Sequence, residues 1–235
     1  MTKKERARAI VEALKALYPE GICSLNYPKP YELLFSVRLA AQCTDERVNM
    51  VTPALFARFP TLESLAGADV SEVEEYIHST GFFRAKARDI VAASQMMLER
   101  FDGKVPDNME DLLKLPGVGR KTANLILGDV YHVPGVVVAD THCIRISGKL
   151  GLTDGTKDPA KVEAQLRKIL PPEESNDFCH RWCSTAGRCA PPESPTARAA
   201  PCGPGATSSR RTPNDGQSKT EQKDPRPGDR GSFCV

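Results

Sequence analysis

Residues 115–124 read Leu-Pro-Gly-Val-Gly-Arg-Lys-Thr-Ala-Asn, and this stretch decides the fold. Two glycines that follow a proline and are separated by one residue favour a tight turn whose backbone N–H groups point outward. Apolar residues at helical spacing lie on both sides of the turn: Met109, Leu112, Leu113, Leu115, Ala123, Leu125, Ile126 and Leu127. The stretch therefore predicts a hairpin in which a tight turn joins two helices.

Lys121 lies in the first turn of the helix that follows these glycines. The unpaired N–H groups and the positive dipole end of a helix start form a ready site for an anion. The same dipole disfavours an added positive charge, which favours the neutral amine of Lys121 and its use as a nucleophile. For Gly-x-Gly taken alone, a sharp helix–helix turn followed by a solvated lysine is the alternative.

The length and composition of the chain favour a globular protein. Its 235 residues suffice for one large or two small domains, and 40% of them are hydrophobic. No apolar run reaches the roughly 18 residues that cross a membrane, and the start of the chain lacks an apolar signal core. We therefore expect a cytoplasmic protein without a membrane partner. The net charge is only +2, so a DNA-binding face would depend on where the charges are placed.

Helical periodicity recurs along the first 180 residues and predicts an all-α body. Helices are expected over residues 4–17, 31–41, 144–150, 159–170 and 171–180, with others beginning near residue 45, after a loop at residues 81–87, and near residue 107. Thr44 or Asp45 can cap the helix that begins near residue 45, and a capping box at residues 71–74 (Ser-Glu-Val-Glu) opens a short helix. Three valines at residues 136–138 are interpreted as a buried extended connector that brings Asp140 to a helix start.

The character of the sequence changes at Trp182. The last 54 residues contain no Leu and no Ile, while Pro, Gly, Ser and Arg dominate them. Such a composition buries too little apolar area to offset the conformational entropy of the chain. Residues 182–235 are therefore predicted to be disordered.

From about Lys4 to Arg181 the sequence closely resembles the endonuclease III family of helix-hairpin-helix DNA glycosylases. Matching segments occur in the family's order: the helix after Pro30, the break at residues 40–45, the loop at Gly81, the hairpin, and the run from Pro134-Gly135 to Asp140-Thr141-His142. The resemblance implies an all-α fold with two parts. These are a six-helix barrel over residues 22–134, which carries the hairpin (115–124), and a second helical domain formed by residues 1–21 and 135–181.

The resemblance also implies a base excision repair enzyme. Such an enzyme is an N-glycosylase and AP (abasic-site) lyase that removes oxidised pyrimidines without a catalytic metal, as a nucleoid-associated monomer acting on double-stranded DNA. A deprotonated Lys121 can attack the sugar C1′ of an extruded nucleotide, expel the base and leave a Schiff base that permits β-elimination. Asp140 matches the family's catalytic aspartate and can stabilise positive charge on the sugar. An ordinary helix N-cap is the alternative role for Asp140.

Several other residues match positions that contact DNA in the family. Gln42 corresponds to a residue inserted into the duplex, and Phe82 to an apolar wedge, although Phe82 and its neighbour Phe83 could instead belong to the core. The hairpin residues expected to hold a DNA phosphate are Leu115, Gly117, Val118, Gly119, Arg120 and Thr122. His132 and His142 are interpreted as structural.

Two other functions stay open at this point. The adenine glycosylase branch of the superfamily normally lacks a lysine at the position of Lys121 and carries an acidic residue early in the chain, where this sequence has Gln42-Cys43-Thr44. A catalytically decayed helix-hairpin-helix DNA-binding protein is the other alternative, and the unusual tail is what would favour it.

The family usually ends with cysteines spaced C-x6-C-x2-C-x5-C, which bind a 4Fe-4S cluster. In this chain Cys183, Cys189, Cys202 and Cys234 are separated by 5, 12 and 31 residues, a spacing that no compact cluster loop would use. We therefore expect neither this cofactor nor a metal in the chain as written. The isolated Cys23, Cys43 and Cys143 are interpreted as small buried residues.

The alanines of the tail predict that residues 182–235 are an out-of-frame translation of the cluster segment. When one lost base is restored near codons 181 and 182, the Cys codon TGC can arise only where the sequence now shows Ala. The four positions that the family spacing requires are Ala190, Ala197, Ala200 and Ala206. Chance would place Ala at all four about once in seven thousand cases. A genuine disordered tail in a relative without a cluster is the alternative.

Overall fold

The computed structural model describes residues 1–186, and within that range the chain forms helices and no strand. The α-helices are α1 (Lys3–Leu17), α2 (Pro30–Ala40), α3 (Asp45–Arg58), α4 (Leu62–Ala66), α5 (Val70–Ile77), α6 (Phe83–Arg100), α7 (Met109–Leu112), α8 (Arg120–Asp129), α9 (Thr141–Lys149), α10 (Pro159–Ile169) and α11 (Ser175–Ala186), with a 3-10 turn at Pro172–Glu174. The all-α prediction is confirmed. The tail beyond residue 186, with its proposed change of frame, lies outside the described residues.

Side-chain caps explain where most of these helices begin. Thr2 and Glu5 form a reciprocal capping box at the start of α1. Thr44 accepts a hydrogen bond from the amide of Arg47 and caps α3, as the sequence predicts. The predicted capping box at residues 71–74 is wrong, because Asp69 caps α5 instead and accepts from both the amide and the hydroxyl of Ser71, each at 2.8 Å.

The last described helix differs from the prediction at both ends. Pro172–Glu174 form a 3-10 turn, and the α-helix begins at Ser175 and continues through Ala186 rather than ending near residue 180. The side chain of Trp182 is buried and meets the ring of Phe178 edge-on, with centroids 5.4 Å apart. A disordered tail that starts at residue 182 is therefore wrong at its first residues, because the buried indole holds the helix against the core.

Helix α2 lies at the centre of the core, and α3, α6 and α8 pack against it. The valines at residues 136–138 are buried without forming a strand, as predicted, and the amide of Val138 donates to the Cys179 sulfur on α11 at 3.3 Å. Helix α11 also contacts α1, α8 and α9. The division into a barrel at 22–134 and a second domain stays a prediction. No helix within residues 1–186 is long and apolar enough to cross a membrane.

Candidate active site

The predicted hairpin lies between α7 and α8. The buried side chain of Leu115 anchors it, and the Leu115 carbonyl accepts a hydrogen bond from the amide of Val118 at 3.2 Å. Gly117 has a φ of 74°, a left-handed conformation that glycine adopts without strain. Gly119 is the N-cap of α8 and offers no side chain to its first N–H groups. The start of α8 therefore presents backbone donors and a positive dipole end to an anion.

An ion pair lies directly beneath this turn. Arg38 of α2 contacts Asp89 of α6 through two nitrogens, Nε at 2.8 Å and a terminal nitrogen at 2.6 Å from the same carboxylate oxygen. A Cβ atom placed on Gly117 would lie 2.7 Å from Arg38 Nε and 2.7 Å from Asp89 Oδ2. Glycine is thus required at 117 for close approach as well as for its φ. Sequence reasoning missed this pair, since no local pattern links residues 38, 89 and 117.

Lys121 is half-buried in the first turn of α8, and its charge acts on a carboxylate from another helix. This group is Asp45 at the start of α3, which accepts a hydrogen bond from the hydroxyl of Ser24. Burial raises the pKa of Asp45, while the Ser24 hydrogen bond and the Lys121 charge act against that rise. Its other oxygen, Oδ1, is buried and has no hydrogen-bond partner. The sequence had suggested Asp45 only as a possible helix cap.

Asp140 caps α9, where its Oδ1 accepts a hydrogen bond from the amide of Cys143 at 2.6 Å. The side chain is only 5% exposed. The capping role considered from the sequence is confirmed, and the buried connector at residues 136–138 places the carboxylate as expected. A catalytic role for Asp140 stays a prediction.

Gln42 and Phe82 are both exposed, and each has a left-handed backbone, with φ of 54° and 55°. The two loops are neighbours, since a Cβ atom on Gly81 would lie 3.7 Å from the carbonyl oxygen of Gln42. The ring of Phe82 is 69% exposed, whereas that of Phe83 packs against His78 at a centroid distance of 4.6 Å. Of the two aromatic residues, only Phe82 is therefore available as a wedge.

One buried lysine ties these two loops together. Nζ of Lys86 donates to the carbonyl of Leu39 at 2.7 Å, at the end of α2, and to that of Thr80 at 3.0 Å, just before the Phe82 loop. Lys86 is 1% exposed, and burial, with a smaller effect of Arg38, lowers its pKa to about 8. Sequence reasoning missed this clamp because a lysine on a helix is usually solvated.

Comparison with known proteins identifies the molecule. Residues 35–172 match the HhH-GPD superfamily of base excision DNA repair proteins. Endonuclease III of Synechocystis sp. is 51% identical over 177 residues, which cover 75% of this chain and 80% of that protein. The chain belongs to the endonuclease III family. Its Escherichia coli relative, also an endonuclease III, is 36% identical over 188 residues, which cover 80% of this chain and 87% of that protein.

A solved endonuclease III structure has the same fold. The structure of a trapped endonuclease III–DNA covalent intermediate superposes with a TM-score of 0.73 at 38% identity, covering 77% of this chain and 85% of that one. The resemblance inferred from the hairpin and the predicted helix-hairpin-helix fold are therefore confirmed. As an endonuclease III family member, the chain is a base excision repair enzyme of the DNA glycosylase class.

The side chains of two residues of the endonuclease III hairpin are engaged within the protein, while the role of these residues in DNA binding stays a prediction. The side chain of Leu115 is buried and anchors the turn, which leaves its backbone for a contact with DNA. Arg120 is exposed, but its guanidinium binds the carboxylate of Glu163 on α10 through two hydrogen bonds of 2.8 and 2.9 Å. Arg120 therefore links α8 to α10 and has much of its charge balanced there. Val118 and Thr122 are half-buried on the turn.

The described residues do not fit the cluster that endonuclease III proteins usually bind. The cysteines they include are Cys23, Cys43, Cys143 and Cys179. Within residues 1–182, only Cys23 of these four belongs to a group of metal-ligand atoms that lie close together, and its companions are not cysteines. The four alanines at the family's ligand positions lie outside the described range. No step of the chemistry below is assigned to an iron–sulfur cluster.

Proposed function

We propose that this protein removes oxidised pyrimidines from duplex DNA and cleaves the abasic site through a Schiff base on Lys121. The observation that carries the proposal is the position of Lys121, half-buried in the uncapped first turn of α8, with its charge acting on the carboxylate of Asp45. During the reaction a carboxylate of this kind can accept and return a proton. DNA as the substrate is supported by the endonuclease III relative trapped covalently on it.

The chemistry proceeds in two stages. The target nucleotide leaves the stack, and the Lys121 amine forms a bond to C1′ while the bond from C1′ to the base breaks and the base leaves with a proton. The C1′–O4′ bond then breaks as O4′ takes up a proton, which opens the sugar ring and leaves an iminium between C1′ and Lys121. This iminium acidifies a C2′ hydrogen, so loss of that proton expels the 3′ phosphate by β-elimination. Water then hydrolyses the imine and frees Lys121. The Asp140 carboxylate stabilises the positive charge that develops on the sugar.

The DNA is held by the hairpin and opened by the two exposed loops. The backbone donors at Gly119 and the start of α8 bind a phosphate, which fixes the register without reading base sequence. Gln42 and Phe82 enter the duplex from neighbouring loops and fill the space that the extruded nucleotide leaves. Their exposure, and the Lys86 clamp behind them, support this assignment.

Borohydride trapping on DNA with an abasic site tests the proposal. The full chain is expected to form a covalent complex, and Lys121→Ala is expected to form none. Lys104→Ala, which removes an exposed lysine outside the site, is the matched control and should trap normally. Asp140→Asn keeps a good N-cap and should fold normally, yet cleave about 100-fold or more slowly. Trapping of Lys121→Ala at the yield of the parent would refute the assignment.

We also propose that the chain as written carries no 4Fe-4S cluster, because alanine stands at all four of the family's ligand positions. A protein that binds DNA without catalysis is the second candidate function, and this missing ligand set is the observation that favours it. The trapping experiment separates the two, since a decayed protein would bind DNA but form no covalent complex. Residues beyond 186 are left without any catalytic assignment.

A further inference from the structure

Three potential metal ligands converge outside the site described above. Cys23 lies in the segment between α1 and α2, Asp129 is the last residue of α8, and His180 lies on α11. The Cys23 sulfur, a carboxylate oxygen of Asp129 and a ring nitrogen of His180 all lie within 4.8 Å of one another. The three residues come from distant parts of the sequence, so they meet only because the segment between α1 and α2 lies near α8 and α11, which pack against each other.

One oxygen of the Asp129 carboxylate makes two close contacts with side chains of α11. Its Oδ1 accepts a hydrogen bond from Asn176 Nδ2 at 2.7 Å and lies 2.7 Å from His180 Nε2. Its Oδ2 is buried and has no hydrogen-bond partner, and the side chain is 6% exposed. An unpaired buried carboxylate oxygen is costly, so this position favours a cation.

We propose that Cys23, Asp129 and His180 bind one Zn²⁺ or a similar divalent transition-metal ion. Thiolate, imidazole and carboxylate are the ligand types that zinc prefers, and three protein ligands with one water complete a tetrahedral site. Calcium and magnesium prefer sites made of oxygen ligands only and do not fit this set. Asn176 holds the carboxylate from behind, as groups around a metal site commonly do.

The charges around the cluster agree with this proposal. Burial, followed by the negative charge of Asp129, raises the pKa of the Cys23 thiol to about 12, and Asp45 adds to the rise. Burial, followed by the charges of Asp129 and Cys23, also raises the pKa of the Tyr27 phenol to about 12. A backbone hydrogen bond at Leu25 acts in the opposite direction on Cys23, but the charges that act on it are those of two carboxylates, which a divalent ion would balance.

An ion at this position would join three segments of the protein. Cys23 precedes Ser24, whose hydroxyl donates to the Asp45 carboxylate, the group on which the charge of Lys121 acts. On the other side, Gly128 and Asn176 are in close contact, since a Cβ on Gly128 would collide with Asn176 Oδ1. The bound metal would therefore fix the segment before α2 against α8 and α11, and with it the position of Asp45.

Cobalt binding to the full chain tests the site. The cysteines at 183, 189, 202 and 234 are first replaced by serine, so that the tail cannot supply thiolates. We expect one equivalent of Co²⁺ to produce a thiolate-to-cobalt charge-transfer band, Zn²⁺ to displace it, and Zn²⁺ to raise the melting temperature. If this protein binds no metal at micromolar concentrations, the three side chains form only a hydrogen-bonded cluster and the proposal is wrong.

Variants assign the ligands. Cys23→Ser and Asp129→Asn should each weaken zinc binding at least tenfold, and Cys23→Ser should abolish the charge-transfer band. Cys179→Ser is the matched control, because Cys179 is next to His180 but its sulfur is bonded to the amide of Val138. Circular dichroism without metal verifies that each variant is folded. Retention of the band in Cys23→Ser, or an equal rise in melting temperature in the parent and both ligand variants, would overturn the assignment.

Discussion

Gly117 and Gly119 look equivalent in the sequence but meet different physical demands. Gly117 has a positive φ and lies against the Arg38–Asp89 ion pair. Gly119 has a φ of −99°, and a Cβ atom there would meet nothing within 4 Å. The first glycine is therefore required by the fold, whereas open space at the second leaves room for a phosphate to approach the backbone.

Alanine substitutions separate these two roles. Gly117→Ala should lower the free energy of unfolding by about 1–3 kcal/mol, because the methyl group adds left-handed strain and displaces the ion pair. Gly119→Ala should lower it by less than about 1 kcal/mol, the difference between the two residues as N-caps. Both should weaken DNA binding equally on all base sequences. Urea unfolding and binding titrations measure these effects.

Normal DNA affinity in Gly119→Ala would show that the hairpin amides are not the phosphate site. If Gly117→Ala were as stable as the parent, the ion pair beneath the turn would have to relocate without cost. Each variant serves as the control for the other, since both add one methyl group to the same turn.

Helix α6 contributes the clamp that holds the two exposed loops. Lys86 donates to one carbonyl at the end of α2, next to the Gln42 loop, and to one just before the Phe82 loop. One side chain therefore fixes the backbone next to both loops. The clamp is costly at neutral pH, because its ammonium is buried and its pKa is lowered from 10.5 to about 8. Deprotonation relieves this cost while leaving two N–H donors for the two carbonyls.

The stability of the protein should therefore depend on pH through Lys86. Between pH 8 and 10.5 the unfolded chain retains the lysine proton and the folded chain has released it, so the free energy of unfolding rises with pH. The contribution is present above 10.5 and is lost as the pH falls through 8. Relative to Lys86→Met, the parent should gain up to about 3 kcal/mol across this window.

Urea unfolding at several pH values measures that difference. Lys104→Met, at an exposed lysine, should show no such trend and serves as the control. A difference between the parent and Lys86→Met that stays constant across the window would mean that Lys86 keeps its ordinary pKa.

For the whole molecule, the sequence of the tail determines whether the chain can bind the 4Fe-4S cluster as its relatives do. The alanines at 190, 197, 200 and 206 coincide with the family's ligand positions, and the reading-frame hypothesis accounts for them with one event. Among the described residues, the core includes Trp182, whose side chain is buried. We therefore expect the chain as written to fold up to this helix.

Iron analysis tests the tail directly. The purified full chain should be colourless and free of iron, because alanine cannot bind iron. Resequencing of the locus should find one additional base near codon 181 if the tail is an artefact, whereas a confirmed frame would indicate a damaged gene. A brown protein with about four irons per chain would contradict the expectation, since it would mean that the cysteines present do bind a cluster.

The sequence by itself determined the local structure and the family. Helical periodicity, the caps at Thr44 and Asp140, and the glycines of the hairpin each act within a few residues, and so they can be recognised along the chain. They also place Lys121 at a helix start, which is enough to predict its chemistry. The predicted start of α5 was wrong, which shows the limit of such reasoning: both Asp69 and Ser71 are suitable N-cap residues, and in the structure Asp69 caps the helix.

Only the tertiary structure decided which distant groups meet. Arg38 and Asp89 are 51 residues apart, as are Asp129 and His180, and Asp45 and Lys121 belong to different helices. Packing around α2 and α11 creates these pairs, and burial strengthens the interactions within them and raises the pKa of Asp45. A sequence pattern reports the period of a helix but not which face of another helix it will meet. The ion pair beneath the hairpin, the Lys86 clamp and the Cys23 cluster were therefore invisible until the helices were packed.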